Sequence, residues 1–206
     1  MYLPPHFTEV NSEEIQGIIE AAPLACIVAQ TEQGLIANHI PLIAVADGTL
    51  IGHVAKSNDI HRMVANEHEV LIIFRGENAY VSPNYYPTKI EHHRHVPTWN
   101  YQVVHIHGAI SFQHDSNAKR AAVGLLTRHH ERRLNGENAW RMADAPNDYM
   151  NNMVDNIVAL SVKPRQILAK SKLSQNRDEV DYDGAVIGLR VAGHEALANK
   201  MEDRKK

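Results

Sequence analysis

Short runs of alternating hydrophobic and polar residues, separated by turn residues, occupy most of the first two thirds of the chain. Strict alternation is typical of strands with one buried face. The Asp47-Gly48 pair is a strong signal for a two-residue hairpin, and Gly76-Glu77-Asn78 predicts a second turn. The predicted strands span residues 24–30, 35–45, 49–54, 70–74, 79–82 and 101–114. Their spacing indicates an antiparallel, mainly β arrangement.

Helical spacing appears at both ends of this region. Asn11 and Glu14 form a capping arrangement before a helix that Pro23 ends. Short strands are expected on either side of Pro164. Further helices are predicted at 58–67, 115–135, 144–157 and 185–201. The chain is therefore expected to be one α+β domain over residues 1–206, with a barrel core at about 24–170 and a C-terminal helix and tail at about 185–206.

Composition narrows the class of protein. The 206 residues are 44% hydrophobic and carry a formal net charge of -3, which does not suggest a general nucleic-acid binder. Cys26 is the single cysteine, so no internal disulfide can form, and a reducing compartment is favoured. We see no signal peptide at the N-terminus and no apolar run of the roughly 18 residues that a membrane-spanning helix needs. These features predict a soluble, cytoplasmic protein.

Recognised catalytic signatures are absent from the sequence. We find no G-x-G-x-x-G, no P-loop and no G-x-S-x-G, and Cys26 lacks a reactive setting. We therefore assign no catalytic residue. Polar residues instead collect at predicted strand ends and in the long loop 83–97. They lie at Asn38-His39, His53–Asn58, Lys89, Val96–Tyr101 and Lys172–Arg177.

A phosphorylated aromatic cofactor would need such a set of residues. Cations, hydroxyls and backbone N–H groups bind a phosphate, an apolar or aromatic wall stacks the ring, and amides contact its edge. The alternative interpretation is that these residues only form turns and helix caps. Spacing alone does not decide between the two.

The same segments resemble the PaiB family of FMN-binding negative transcriptional regulators. The similarity runs in order from residue 1 to about residue 200. One departure is Asn84-Tyr85, where the family pattern has a tryptophan before the second tyrosine. The matching motifs are Met-Tyr-x-Pro at 1–4, Asn-His-Ile-Pro at 38–41, Gly-His-Val-Ala at 52–55, Ala-Tyr-Val-Ser-Pro at 79–83, Tyr-Pro-Thr-Lys at 86–89, Val-Pro-Thr-Trp-Asn-Tyr at 96–101 and Lys-Leu-Ser-Gln-Asn-Arg at 172–177.

This resemblance implies a split β-barrel with peripheral helices, related to pyridoxamine-phosphate oxidases, with FMN in a groove between two subunits of a homodimer. Lys56 is the expected phosphate ligand and Lys89 the second choice. The resemblance implies that the cofactor-binding residues are Asn38, His39, Ile40, His53, Val54, Ala55, Lys56, Asn58, Lys89, Thr98, Trp99, Asn100, Tyr101, Lys172, Ser174 and Gln175. The 84–86 loop, Trp99 and the 172–177 segment are the candidates for the surface that the second subunit covers.

Three functions stay open at this point. The leading one is a PaiB-like negative regulator that binds FMN. The second is a flavin-dependent oxidoreductase that uses the same pocket. The third is a metal or haem protein, because the chain contains 14 histidines, among them His105 and His107 on one strand face and a cluster at 92, 93 and 95. We predict no metal site, since no acidic or cysteine partner lies at tight spacing.

A basic helix at 119–133 raises the question of DNA. This segment contains one acidic residue, Glu131, and five basic residues, which are Lys119, Arg120, Arg128, Arg132 and Arg133. No helix-turn-helix pattern accompanies them, so a solvated helix face is the simpler interpretation. DNA remains a partner that the sequence does not support.

Overall fold

The computed structural model describes residues 1–205; Lys206, the last residue of the predicted tail, lies outside them. The chain divides into two compact units. The first unit contains Met1–Ala21, Arg75–Val104 and the chain from Leu168 onward, and the second contains Ala22–Phe74 and His105–Ile167. The single domain expected from the sequence stays a prediction.

One mostly antiparallel sheet contains the strands of the described chain. Its hydrogen-bonded order is β3-β2-β6-β7-β8-β5-β4, and β1 pairs with β8. The strands are β1 (Thr8–Glu9), β2 (Leu24–Thr31), β3 (Gly34–Pro41), β4 (Ile43–Ala44), β5 (Leu50–Ala55), β6 (His68–Val81), β7 (Thr98–Gln113) and β8 (Ile157–Lys172). The chain passes from one unit to the other within each of the three longest strands, β6, β7 and β8.

Helices follow the strands in both units, as the pattern predicted. They are α1 (Ser12–Ala21), α2 (Ile60–Met63), α3 (Lys89–His92), α4 (Ser116–Asn135), α5 (Asn147–Asp155), α6 (Glu179–Val191) and α7 (Glu195–Asp203). The Asp115 carboxylate accepts a hydrogen bond from the Ala118 N–H, which caps α4 as expected for an N-cap aspartate. The sheet with its helices agrees with the predicted α+β class.

The predicted turn at Gly76-Glu77-Asn78 is wrong, because β6 continues through it. Glycine at position 76 allows neighbouring residues to pack closely. A Cβ on Gly76 would lie 3.3 Å from the side chains of Gln102 and Ile18. A glycine inside a strand often marks such an approach.

Two further boundaries differ from prediction. β8 is one strand that runs through Pro164, where two short strands were expected. The last predicted helix is divided into α6 and α7, and Gly193 between them has a φ of +85°. Glycine adopts this left-handed conformation readily, and it commonly ends a helix.

The C-terminal helices build the core of the first unit. Leu173, Tyr182, Leu189, Leu197 and Met201 are buried together in it. The 83–87 segment lies against α6. A Cβ on Gly188 would come within 2.3 Å of the Tyr85 ring, so glycine at this helix position makes room for that ring.

Candidate functional site

The predicted site residues fall into two groups, one in each unit. The second-unit group contains Asn38–Ile40 and His53–Asn58, from β3, β5 and the turn after β5. The first-unit group contains Lys89, Thr98–Tyr101 and Lys172–Gln175, from α3, the start of β7 and the end of β8.

Asn38 and Asn58 link the two segments of the second-unit group. The Asn58 Nδ2 donates a 2.8 Å hydrogen bond to the Asn38 Oδ1. The Asn58 Oδ1 in turn accepts from the Ile60 backbone N–H at 3.0 Å, at the start of α2. The structure therefore brings together two motifs that are 20 residues apart.

Glycine at position 52 allows β5 to approach the end of β3. A Cβ on Gly52 would lie 2.9 Å from the Pro41 carbonyl oxygen and 2.5 Å from the Leu42 Cδ2. Any larger residue would push these segments apart. Close packing of these two segments thus explains why the Gly-His-Val-Ala motif begins with glycine.

One buried polar atom in the second-unit group is unsatisfied. The His53 Nδ1 is buried and has no hydrogen-bond partner among residues 1–205. Burial lowers the pKa of His53, so its imidazole is neutral near pH 7. A buried polar atom of this kind is costly unless a ligand or water contacts it.

Lys56 has a fixed backbone and an exposed side chain. Its N–H donates to the Asn156 carbonyl oxygen at 2.8 Å, and its own carbonyl oxygen accepts from His61 and Arg62. The Lys56 ammonium makes no ion pair with any described residue. Ile40 and Val54, by contrast, bury their side chains, so only their backbone could reach a ligand.

In the first-unit group, Lys172 joins the start of β7 to the end of β8. Its Nζ donates to the Thr98 Oγ1 and, at 2.6 Å, to the Trp99 carbonyl oxygen. Asn100 and Ser174, both buried, exchange hydrogen bonds of 2.9 and 3.1 Å. The structure thus brings together two more of the predicted segments.

Gln175 stabilises the turn that follows β8. Its Nε2 donates to the Ser171 carbonyl oxygen at 2.5 Å, and its Oε1 accepts from the Leu173 N–H at 2.6 Å. Ser174 inside this turn has a φ of 65°, a conformation that few non-glycine residues adopt. The side-chain bonds of Gln175 to Ser171 and Leu173 hold the strained backbone in place.

A cavity of about 140 Å³ opens beside these residues. Its lining includes Phe7, Thr98, Lys172 and Arg177. Burial lowers the pKa of Lys172, and the positive charges of Lys170 and Arg177 lower it further. No carboxylate lies in the described lining, so the cavity is cationic and suited to an anion or to an electron-rich edge.

The remaining first-unit residues lie around this cavity or in the loop before it. The Trp99 side chain is 53% exposed and meets the Tyr80 ring edge-on, with 6.1 Å between centroids. The Tyr101 ring lies 5.2 Å from the Lys170 ammonium. Lys89 donates to the Asn84 Oδ1, so its charge is held by a neighbouring amide.

Sequence reasoning missed a buried polar network behind the 83–97 loop. The Asp181 carboxylate accepts from both the N–H and the hydroxyl of Thr88 and lies 3.2 Å from the His95 Nε2. The Arg177 guanidinium lies 3.3 Å from the His95 Nδ1. Because a guanidinium can only donate, the His95 Nδ1 is the acceptor in this contact. Arg177 belongs to the Lys-Leu-Ser-Gln-Asn-Arg motif that carries the family resemblance, but no sequence pattern indicated that Thr88 and Asp181 would be in contact.

The histidines do not form a metal centre within residues 1–205, where no group of three His, Cys, Asp or Glu side chains is placed to hold an ion. His105 and His107 do share one face of β7, and the His107 Nδ1 lies 3.5 Å from a Glu69 carboxylate oxygen. The described helices are also all too short or too polar to cross a membrane.

Sequence comparison identifies relatives over two thirds of the chain or more. Protease synthase and sporulation protein PAI 2 of Bacillus subtilis is 32% identical over 213 residues, which cover 100% of this chain and 99% of that protein. An uncharacterised Saccharomyces cerevisiae protein is 31% identical over 67% of this chain and 95% of its own length.

Solved structures share the fold at low sequence identity. The FAD- and haem-binding protein of Mycobacterium smegmatis aligns with a TM-score of 0.61 at 14% identity, over 86% of this chain and 79% of that chain. The flavocytochrome Anf3 of Azotobacter vinelandii aligns with a TM-score of 0.60 at 12% identity, over 88% and 78%. These likenesses confirm the predicted split-barrel class with peripheral helices.

The family assignment rests on residues 1–166, which match the family described as "Putative FMN-binding domain". This match and the full-length similarity to PAI 2 confirm both the predicted family and FMN as the cofactor. The chain therefore belongs to the PaiB-like, FMN-binding family of split-barrel proteins.

Proposed function

We propose that both groups of residues take part in FMN binding and that the protein acts in the cytoplasm as a homodimeric, PaiB-like negative regulator of transcription. The observation that carries the proposal is a set of polar groups that lack a partner or a counter-charge in the protein. The exposed Lys56 ammonium makes no ion pair, and the buried His53 Nδ1 makes no hydrogen bond, with a described residue. The cavity at Lys172 has no carboxylate among its described lining residues. A phosphorylated flavin supplies such partners, so the residues present fit FMN.

We propose Lys56 as the residue that binds the phosphate group of FMN. Its backbone is fixed by hydrogen bonds on both sides, so the ammonium projects from a rigid turn. A free ammonium gains more from a dianionic phosphate than one already held by a neighbouring group. Lys89, which donates to Asn84, is the second choice.

The first-unit group fits the part of the cofactor that FMN shares with riboflavin. Cationic Lys172 and Arg177 suit the electron-rich edge of a flavin ring, and the exposed Trp99 offers an apolar face for stacking. The cavity of about 140 Å³ is smaller than the roughly 300 Å³ typical of whole small-molecule sites. It would therefore take a portion of the cofactor.

FMN, when bound, supplies a redox-active ring. The protein's part is to bind, orient and shield that ring, for which hydrogen-bond donors and an apolar wall suffice. We infer a signalling role for the bound flavin, based on cofactor occupancy or redox state.

Paired ligand titrations of lysine variants test this proposal. Lys56→Met should weaken FMN at least about tenfold, by about 1.5–3 kcal/mol, and leave riboflavin nearly unchanged. Lys172→Met should weaken both ligands by similar factors. Lys163→Met, at an exposed position on β8, is the control and should change neither. If Lys56→Met weakens FMN and riboflavin binding by the same factor, Lys56 does not bind the phosphate.

A further inference from the structure

A second cavity lies in the second unit, at the C-terminal end of α4. Its volume is about 690 Å³, within the roughly 300–1,000 Å³ range of small-molecule sites. The lining comes from the last turns of α4 and from the 136–142 segment that follows it. None of the residues predicted to bind FMN lines this cavity.

Arginine gives this cavity its charge. Arg128, Arg132 and Arg141 line it, against one acidic residue, Glu137. The three guanidinium groups make no ion pair with the residues that the structure describes. The nearby Glu131 carboxylate is not among the lining residues, and its Oε2 accepts from the Asn135 side chain at 2.8 Å and from the Trp140 N–H at 3.0 Å. The lining therefore keeps an excess of positive charge.

Trp140 provides a flat apolar wall. Its side chain is 43% exposed, although its backbone is fixed by the bond to Glu131. Large exposed aromatic side chains beside unpaired arginines are typical of sites that bind a ring and an anionic group together.

Gly124 makes room on the helix side of the cavity. Glycine in a helix interior weakens the helix relative to alanine, so its presence calls for a packing or binding reason. A Cβ at this position would meet only the Met142 Sδ, at 3.6 Å, which is an ordinary contact. Packing therefore tolerates a side chain there, and a long one would occupy cavity space.

We infer that this cavity is a second ligand site, for a small anion that carries a planar ring, of the class of a nucleoside diphosphate. The indole stacks the ring, and the guanidinium forks bind phosphate oxygens in the bidentate geometry that arginine favours. Three arginines against one glutamate leave an excess of two positive charges in the lining, which suits a diphosphate.

Calorimetric titration of FMN-saturated protein tests the inference, with ADP as the probe. Saturation with FMN prevents ADP from entering the cofactor site. We expect one ADP per chain, with adenosine and inorganic pyrophosphate each bound at least about tenfold more weakly than ADP. No ADP binding at millimolar concentration would overturn the proposal, as would pyrophosphate binding as tightly as ADP.

Variants locate the site. Arg128→Ala and Arg132→Ala should each weaken ADP about tenfold or more, and Gly124→Leu should block it without removing charge. Arg133→Ala removes the same charge from the same helix turn outside the lining and should leave ADP binding unchanged. Circular dichroism checks that each variant is folded.

Retained FMN affinity in the Arg128 and Arg132 variants is the final requirement. If they lose FMN by the same factor as ADP, the cavity is the cofactor site and the second site does not exist. If Arg133→Ala weakens ADP binding as much as the Arg128 and Arg132 variants do, ADP responds only to the overall positive charge of the helix.

Discussion

The Asp181 carboxylate accepts hydrogen bonds from both the backbone N–H and the hydroxyl of Thr88, at 3.1 and 2.8 Å, across 93 residues of sequence. The Asp181 and His95 side chains are only 4% and 6% exposed. This contact ties the loop before β7 to helix α6. Through His95 it also holds Arg177, one of the cations of the first-unit cavity.

Asp181→Asn should lower the free energy of unfolding by about 1–3 kcal/mol, because a buried hydroxyl, N–H or imidazole then loses a charged acceptor. Urea unfolding measures the change. Asp183→Asn is the matched control on the same helix, since Asp183 is half-exposed and pairs with Lys205 at the surface. An equally large loss of unfolding free energy in the control would show that the buried network stabilises the protein no more than the surface ion pair does.

Glu9 gives the stability of the first unit a defined dependence on pH. Its carboxylate accepts from Arg204 at 2.6 Å and from the N–H groups of Val10 and Asn11. Burial raises the pKa of Glu9, but these hydrogen bonds outweigh it and the net pKa lies below the ordinary 4.5. The stabilisation is therefore present above about pH 4.5 and is lost as pH falls through the lowered folded-state pKa.

Glu9→Gln should therefore destabilise the protein by about 1–3 kcal/mol at neutral pH and by much less at an acidic pH below the lowered pKa of Glu9, where Glu9 itself is protonated. Unfolding curves at both pH values, with the exposed Glu13→Gln as control, test this. A penalty independent of pH would mean that the charge of Glu9 is not what stabilises the contact.

Regulation of transcription need not involve direct contact with DNA. We expect the isolated protein to bind duplex DNA weakly near physiological salt, because its net charge is -3 and no recognition helix was found. Fluorescence anisotropy over a salt series measures this. Tight, sequence-selective binding, with a salt slope that charge reversal at Arg132 and Arg133 flattens, would instead support direct repression.

Association into a homodimer is a further prediction. In the first unit, Tyr80 and Trp99 form an aromatic pair that is 47% and 53% exposed, a surface that a second copy could cover. Tyr86, by contrast, is buried within the chain, which limits what the 84–86 loop could offer. Sedimentation of apo- and FMN-bound protein over a dilution series should show a dimer that FMN stabilises. A monomer that holds FMN stoichiometrically would contradict this prediction.

Local signals in the sequence predicted most elements, and the motifs predicted the family. Asp47-Gly48 indicated the hairpin between β4 and β5 because turn chemistry is local, but five residues rather than the predicted two connect Ala44 to Leu50. Gly76 misled, since its role is to admit Gln102 and Ile18, residues that are distant in sequence. The link between Thr88 and Asp181 is equally non-local, and no periodicity could have shown it. The individual FMN contacts remain predictions for the same reason.

The central claim is that this protein binds FMN, and titration of the apo-protein with FMN and FAD, followed by flavin fluorescence, tests it most directly. The chain has no dinucleotide glycine fingerprint, so FMN should bind with one site per chain and at least about tenfold more tightly than FAD. FAD binding as tight as FMN, or no binding of either flavin, would contradict the account.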